Sequence, residues 1–212
     1  MRPELLACAV VAWAACSGAP AIPAPAGSRA QYAALEARTV RIVTACADGP
    51  GWGSGVVLRA GLVATAAHVT QPACRMTIRG NPAVVLAIDE AADIAILRAT
   101  SPYVWQPLSL GPAVYRGQLV TVVGYPMRSK TGRAELSVSP GYVTTTYSDR
   151  IQVSAPGYFG GSGGPAFNDA GELVGLFVAI DALQGFGMAA VPIDGGYYLT
   201  PAGRVFELAA GL

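Results

Sequence analysis

The sequence holds a single histidine in 212 residues, and only 13% of those residues are charged, roughly half the share of an ordinary soluble domain. Lysine and arginine number 14 against 13 aspartates and glutamates, a net charge of +1 with no basic cluster. That balance leaves no footprint for a nucleic acid or an anionic membrane surface. Cysteine is also scarce, and with one histidine beside it there is little from which to build a metal site. The apolar run from Leu5 to Ala15 falls short of the ~20 residues that span a bilayer. Glycine, by contrast, is abundant at 26 residues, which suits short strands and turns better than long helices.

The first 16 residues read as a signal segment, with Arg2 ahead of the Leu5–Ala15 run. Two processing routes are open. Ala24-Pro25-Ala26 before Gly27 is a small-residue cleavage site, whereas Trp13-Ala14-Ala15-Cys16 before Ser17-Gly18 resembles a bacterial lipobox that would lipidate Cys16. Either route predicts export to the periplasm or the exterior, the second with a lipid anchor to a membrane. A buried N-terminal helix is the alternative. Export leaves Cys46 and Cys74 in the mature chain, where an oxidising compartment permits them to pair. Two buried free thiols are the other reading.

Residues 17–28 are rich in Ala, Pro and Gly and form a tether. A short helix is expected over Ala30–Arg38. From Thr39 the pattern turns to short β-type runs broken by Gly, Pro and Asn. The first set covers Val40–Cys46, Gly53–Leu58, Leu62–Thr65, Arg75–Ile78, Ala83–Ile88 and Ile94–Arg98. After a connector from Thr100 to Pro112, a second set covers Gln118–Tyr125, Glu135–Thr145, Ile151–Ser154, Gly164–Phe167, Leu173–Ile180 and Gly187–Pro192. Six strands, a linker and six more predict two all-β halves, barrels or sandwiches. The tail from Thr200 to Leu212 reads as a helix, with Thr200 as N-cap ahead of Pro201.

Three segments carry the residues of nucleophilic chemistry. In Gly160-Gly161-Ser162-Gly163-Gly164-Pro165, glycines let the backbone bend and let a carbonyl approach Ser162. The N–H groups of Gly160 and Ser162 can then converge as an oxyanion hole. Thr65-Ala66-Ala67-His68-Val69 presents the one imidazole after small residues. Asp93 opens the apolar run Ile94-Ala95-Ile96-Leu97 and could orient and stabilise an imidazolium. Each alone has a plain structural reading: a glycine turn, a packed histidine, a strand-start cap with Asp89 or Glu90 in the exposed turn beside it. Chain order separates the rival catalytic readings. Ser162 also satisfies G-x-S-x-G, yet no histidine follows it as the nucleophile-elbow hydrolases require. The order His68, Asp93, Ser162 is that of the chymotrypsin-like arrangement.

Together with Gly53-Ser54-Gly55-Val56-Val57, these motifs resemble the trypsin-like serine proteases, and among them the HtrA branch. Gly171-Glu172-Leu173-Val174-Gly175 resembles that branch after the nucleophile. The resemblance runs from Val40 to Ile193 and implies two perpendicular six-stranded β-barrels with the site in the cleft between them, one at about 39–100 and one at about 113–193, within a protease domain over 29–212. It implies a serine endopeptidase acting on polypeptides through His68, Asp93 and Ser162, with no metal or cofactor. A non-catalytic pseudoprotease on the same scaffold and an exported esterase are the alternatives. It makes Cys46 and Cys74 similar to the disulfide that clamps the histidine loop in digestive members. It places Ala155, Pro156 and Gly157 on one wall of the primary specificity pocket, with Phe177–Ala179 and Met188–Ala190, Ala189 among them, on others. With no carboxylate there, a small or medium apolar residue before the scissile bond is expected. The chain departs from the family in two ways. Only residues 194–212 follow Ile193, too few for the branch's usual PDZ domain. Gly161 stands where many members have Asp or Asn, which removes the anionic partner for activation by an inserted N-terminal ammonium. The enzyme is therefore expected to be competent once exported. Nothing in the sequence fixes an oligomeric state.

Overall fold

The computed structural model describes residues 27–47, 49–71, 73–99, 107–127, 134–157, 159–183 and 191–212, and the side chains of 179–195 are not among what it describes. The signal segment, Cys16, nearly all of the tether, the first part of the connector and Ala189 lie outside the described residues.

Helix α1 (Arg29–Arg38) starts where the Ser28 hydroxyl accepts the N–H of Gln31, satisfying one of the donors that a helix start leaves unpaired. It leads directly into the first barrel, whose strands are β1 (Thr39–Cys46), β2 (Gly49–Arg59), β3 (Leu62–Thr65), β4 (Arg75–Ile78), β5 (Asn81–Asp89) and β6 (Ile94–Ala99). These close in the order β1-β2-β3-β6-β5-β4, every pairing antiparallel. The hairpin β4–β5 turns on two residues, Arg79 and Gly80, both at positive φ (49° and 81°), the twist that a two-residue hairpin demands. The second barrel contains β7 (Leu119–Gly124), β8 (Ser137–Thr146), β9 (Ile151–Val153), β10 (Pro165–Phe167), β11 (Leu173–Leu183) and β12 (Val191–Pro201), closed in the order β10-β11-β12-β9-β8-β7.

Apolar packing explains the arrangement. Val40, Ile42, Val57, Val63, Ile78 and Leu97 fill barrel one, while Val120, Val143, Val153, Ala166, Phe177 and Leu199 fill barrel two. A third cluster joins the halves: Val56, Ala64, Ile94 and Ile96 of barrel one meet Val123, Phe167, Leu173 and Leu176 of barrel two. Strands β3 and β6 are therefore buried almost end to end, since they face a barrel interior on one side and the junction on the other. Burial on both faces reads as an unbroken apolar run. Helix α2 (Ala202–Ala209) seals this junction with Ala202, Val205 and Ala209.

Among the boundaries that differ from the sequence reading, three have a clear physical reason. Strand β2 begins at Gly49 rather than Gly53 because residues 49–52 complete the ladder with Val43–Cys46. Strand β12 runs to Pro201, well past the expected end at Pro192, because 197–201 pair with β11. Thr200 is consequently not a helix cap: Pro201 holds that position, and the Thr200 hydroxyl donates instead to the Ala92 carbonyl at 2.7 Å.

Candidate active site

His68 sits on a single 3-10 turn, Ala67–Val69, just after β3. Asp93 ends the tight turn between β5 and β6 and holds φ at +53°, a left-handed conformation that aspartate tolerates better than most residues. The turn is built for it: Asp89 Oδ1 accepts the Ala92 N–H at 3.0 Å, and the Asp93 N–H donates to Glu90 O at 3.2 Å. Because β3 pairs with β6, Thr65 opposite Ala95, the two segments emerge side by side. Three hydrogen bonds then join them. The His68 ring nitrogen Nδ1 lies 2.7 Å from Asp93 Oδ2, the His68 backbone N–H donates to Oδ1 at 2.9 Å, and the Ala67 N–H donates to the Asp93 carbonyl at 3.1 Å. In a neutral ring a carboxylate at Nδ1 favours the tautomer that carries its proton there, with Nε2 free to accept one. The imidazole is about half exposed, 49%, with Asp93 at 29%, so an incoming substrate can reach the ring.

Ser162 lies between β9 and β10, and its loop reaches across to barrel one. It shares with His68 a cleft of about 320 Å³ whose walls include Thr44, Trp52, Phe159 and Gly160. No hydrogen bond joins the Ser162 hydroxyl to His68 among the described residues; contacts of this kind commonly tighten only when substrate binds. All four carbonyls of the loop from Phe159 to Ser162 have donors. Phe159 O accepts from Met127 N (2.6 Å), Gly160 O from Ser54 Oγ (2.8 Å), Gly161 O from Gly164 N (2.9 Å) and Ser162 O from Ser54 N (2.8 Å). In a trans peptide the next N–H points opposite to each carbonyl. The N–H groups of Gly160 and Ser162 are thereby turned away from these donors, and neither donates to a described residue. Gly163 at φ +80° must be glycine: a Cβ there would stand 2.2 Å from Thr65 Oγ1 and 2.3 Å from Ser54 O.

Among the residues expected at the specificity pocket, Pro156 and Phe177 line one small cavity of about 20 Å³ with Gly157 and Gly161. Ala155 is fully buried. Ala179 falls on β11 with its side chain not described, and Ala189 is outside the described residues. A larger groove of about 380 Å³, lined by Leu110, Pro112, Val114, Tyr147, Ile151 and Val174 among others, offers no histidine, cysteine or carboxylate.

Cys46 and Cys74 form a disulfide with Cα atoms 4.4 Å apart. They continue the β1–β4 ladder by one step beyond Ala45 opposite Arg75, the close spacing of a non-hydrogen-bonded antiparallel pair. The bridge closes the segment that follows His68, since Cys74 N donates to Gln71 O and Gln71 lines the cleft.

The sequence reading missed the parts that hold the loop in place. Ser54 and Met127, whose groups hold the loop carbonyls, are neither nucleophile nor base, and only the glycines around Ser54 hinted at close approach.

Comparison with known proteins supplies the setting. Residues 53–176 match the family described as the trypsin-like peptidase domain. The chain is 35% identical over 143 residues to protease Do-like 2, chloroplastic, of Arabidopsis thaliana, covering 58% of this chain and 23% of that protein. It is 34% identical over 144 residues to the mitochondrial serine protease HTRA2 of Bos taurus, covering 58% and 30%. The chain therefore matches less than a third of the length of these curated relatives. In fold it is similar to the HtrA-type protease AlgW with tripeptide, at a TM-score of 0.69 and 24% identity over 85% of this chain and 62% of that one. The family match spans more than half of the sequence and includes His68, Asp93 and Ser162: the chain belongs to the trypsin-like peptidase domain family.

Proposed function

We propose that the protein is a serine endopeptidase in which His68, Asp93 and Ser162 act as a catalytic triad. The observation that carries this reading is the double grip of Asp93 on His68, facing the cleft that Ser162 also lines. Ser162 Oγ attacks the peptide carbonyl while His68 Nε2 takes its proton, and the new oxyanion lies against the N–H groups of Gly160 and Ser162. The imidazolium, stabilised by Asp93, then gives that proton to the departing amine. Water attacks the acyl-enzyme with His68 again as base, and the acid is released with Ser162 regenerated. No metal or cofactor takes part in these steps.

A small apolar side chain before the scissile bond fits this site best. The cavity beside Gly161 has room for about one water, and none of its lining residues is charged. Export to an oxidising compartment, periplasmic or extracellular, accords with the Cys46–Cys74 bridge. Cys16 is the proposed lipid attachment if the lipobox route is used, and the intact mass of the exported chain decides between that route and cleavage before Gly27.

The deciding experiment is labelling of the folded protein with a fluorophosphonate, with peptide mapping, beside His68→Ala and Ser162→Ala variants and assays on peptide and ester substrates. An adduct on Ser162 that is lost in both variants, with peptide turnover, is the expected result. A folded protein that takes no label would leave a binding module. Turnover of esters alone would leave an esterase.

A further inference from the structure

Ser54 carries more hydrogen bonds to the nucleophile loop than any triad residue does. It is completely buried, and each of its polar groups is spent at the junction of the two barrels. Its N–H donates to Ser162 O at 2.8 Å, and its hydroxyl donates to Gly160 O at 2.8 Å while accepting the Tyr125 N–H at 2.8 Å. Its carbonyl accepts the Thr65 hydroxyl at 2.7 Å. Two of the four consecutive loop carbonyls from Phe159 to Ser162 are therefore held by one residue of barrel one. The Gly160–Gly161 plane so held lies between the two peptides that carry the Gly160 and Ser162 N–H groups. Since each plane turns as a unit, those N–H groups can re-aim only by rotation about the Cα atoms that flank it. Gly160 lies at φ +85°, and glycine alone would populate many other conformations there. Gly161 supplies no side chain with which the loop could anchor itself.

We infer that Ser54 is a positioning residue for the oxyanion hole, its hydroxyl holding the Gly160–Gly161 peptide so that the neighbouring N–H donors stay aimed at the developing charge. The inference rests on the triad reading above. It explains how a chain with glycine at 161 keeps the loop ordered: a neutral, buried hydroxyl from the opposite barrel does what an acidic side chain within the loop would otherwise do. Preorganisation of this kind is felt in the transition state rather than in ground-state binding.

The test compares Ser54→Ala with Thr65→Val. Both remove one buried hydroxyl at the same place, but only the first frees Gly160 O. The expected result is a kcat lower by roughly ten- to a hundredfold in Ser54→Ala with KM nearly unchanged, since full loss of an oxyanion donor costs ~10²–10³ in kcat. Affinity for a peptide aldehyde, whose adduct is tetrahedral, should fall in step with kcat/KM, while affinity for a product peptide should not. Thr65→Val should melt lower and keep its kcat. If Ser54→Ala does not fold, Ser54→Cys keeps the size with a weak donor and should show the same pattern in milder form. Equal losses of kcat in Ser54→Ala and Thr65→Val, or a folded Ser54 variant with wild-type kcat, would overturn the inference. A wild-type protein that is folded but takes no label on Ser162 would overturn the triad reading beneath it, and the two failures are separate measurements.

Discussion

The Thr200 hydroxyl, on the last strand of barrel two, donates to the carbonyl of Ala92, one residue before Asp93 in barrel one. The turn that presents the carboxylate to His68 is thus held from the other half of the molecule. Thr200 is almost fully buried, so Thr200→Val leaves the Ala92 carbonyl without its partner. The expected cost is ~1–3 kcal/mol of stability, read as a lower midpoint in urea with an unchanged slope. The same variant should lose some kcat through a looser Asp93, and an unchanged midpoint would show that water replaces the hydroxyl.

Asp89 faces the same turn and pairs with Arg204 of α2 at 2.8 Å. The Arg204 hydrogen bond, helped by the Ala92 N–H, holds the Asp89 carboxyl below its ordinary value of 3.8. A carboxylate whose folded pKa is depressed adds stability above its unfolded pKa and loses it as pH falls through the folded one. Wild type and Asp89→Asn should therefore differ in melting temperature at neutral pH and converge in strong acid. Parallel curves across the whole acid range would mean that the pair contributes nothing.

Asp93→Asn keeps the size of the side chain but presents a different hydrogen-bond pattern to His68. If the triad reading holds, kcat drops by roughly 10⁴-fold, as expected for a wrong tautomer, with the fold and peptide affinity retained. Hydrolysis rates of a peptide ester at saturating concentration measure this directly.

The Cys46–Cys74 bridge closes a loop with a sequence separation of 28, worth about 3–4 kcal/mol in the chain-entropy picture. The double variant Cys46→Ser/Cys74→Ser should lose stability on that scale. Because the loop so closed includes His68 and Gln71, activity should fall at temperatures where the variant is still mostly folded. Denaturation and activity curves measured together would reveal whether the two losses coincide.

Much of the fold could be read from the sequence because its strands are short, apolar and separated by strong breakers. Leu62–Thr65 and Arg75–Ile78 begin and end where expected, and the two closed barrels follow the two sets of runs. The misreadings occur where pairing overrides local preference. Gly49–Trp52 looks like loop but is drawn into the sheet by β1, and Thr200-Pro201 looks like a helix start but completes β12. The site was legible as three motifs, since each has unusual local composition. Their convergence was legible only through chain order and the family resemblance, because it depends on β3 lying beside β6 and on a loop crossing between barrels. Ser54 was least visible of all: its role arises from contacts with residues more than a hundred positions away, Gly160 among them.

Helix α2 has a consequence for the order in which the molecule is finished. It packs Val205 and Ala209 against the junction, and Arg204 grips the turn beside Asp93. A ribosome delivers residues from the N-terminus onward, and domains generally begin folding in that order. Barrel one, with His68 and Asp93, emerges first; the Ser162 loop follows; Thr200 and Arg204, which steady the acid-bearing turn, come later still. A nascent chain therefore carries the parts of the centre before it carries the pieces that hold them in register, and completion of the site waits until Arg204 has emerged.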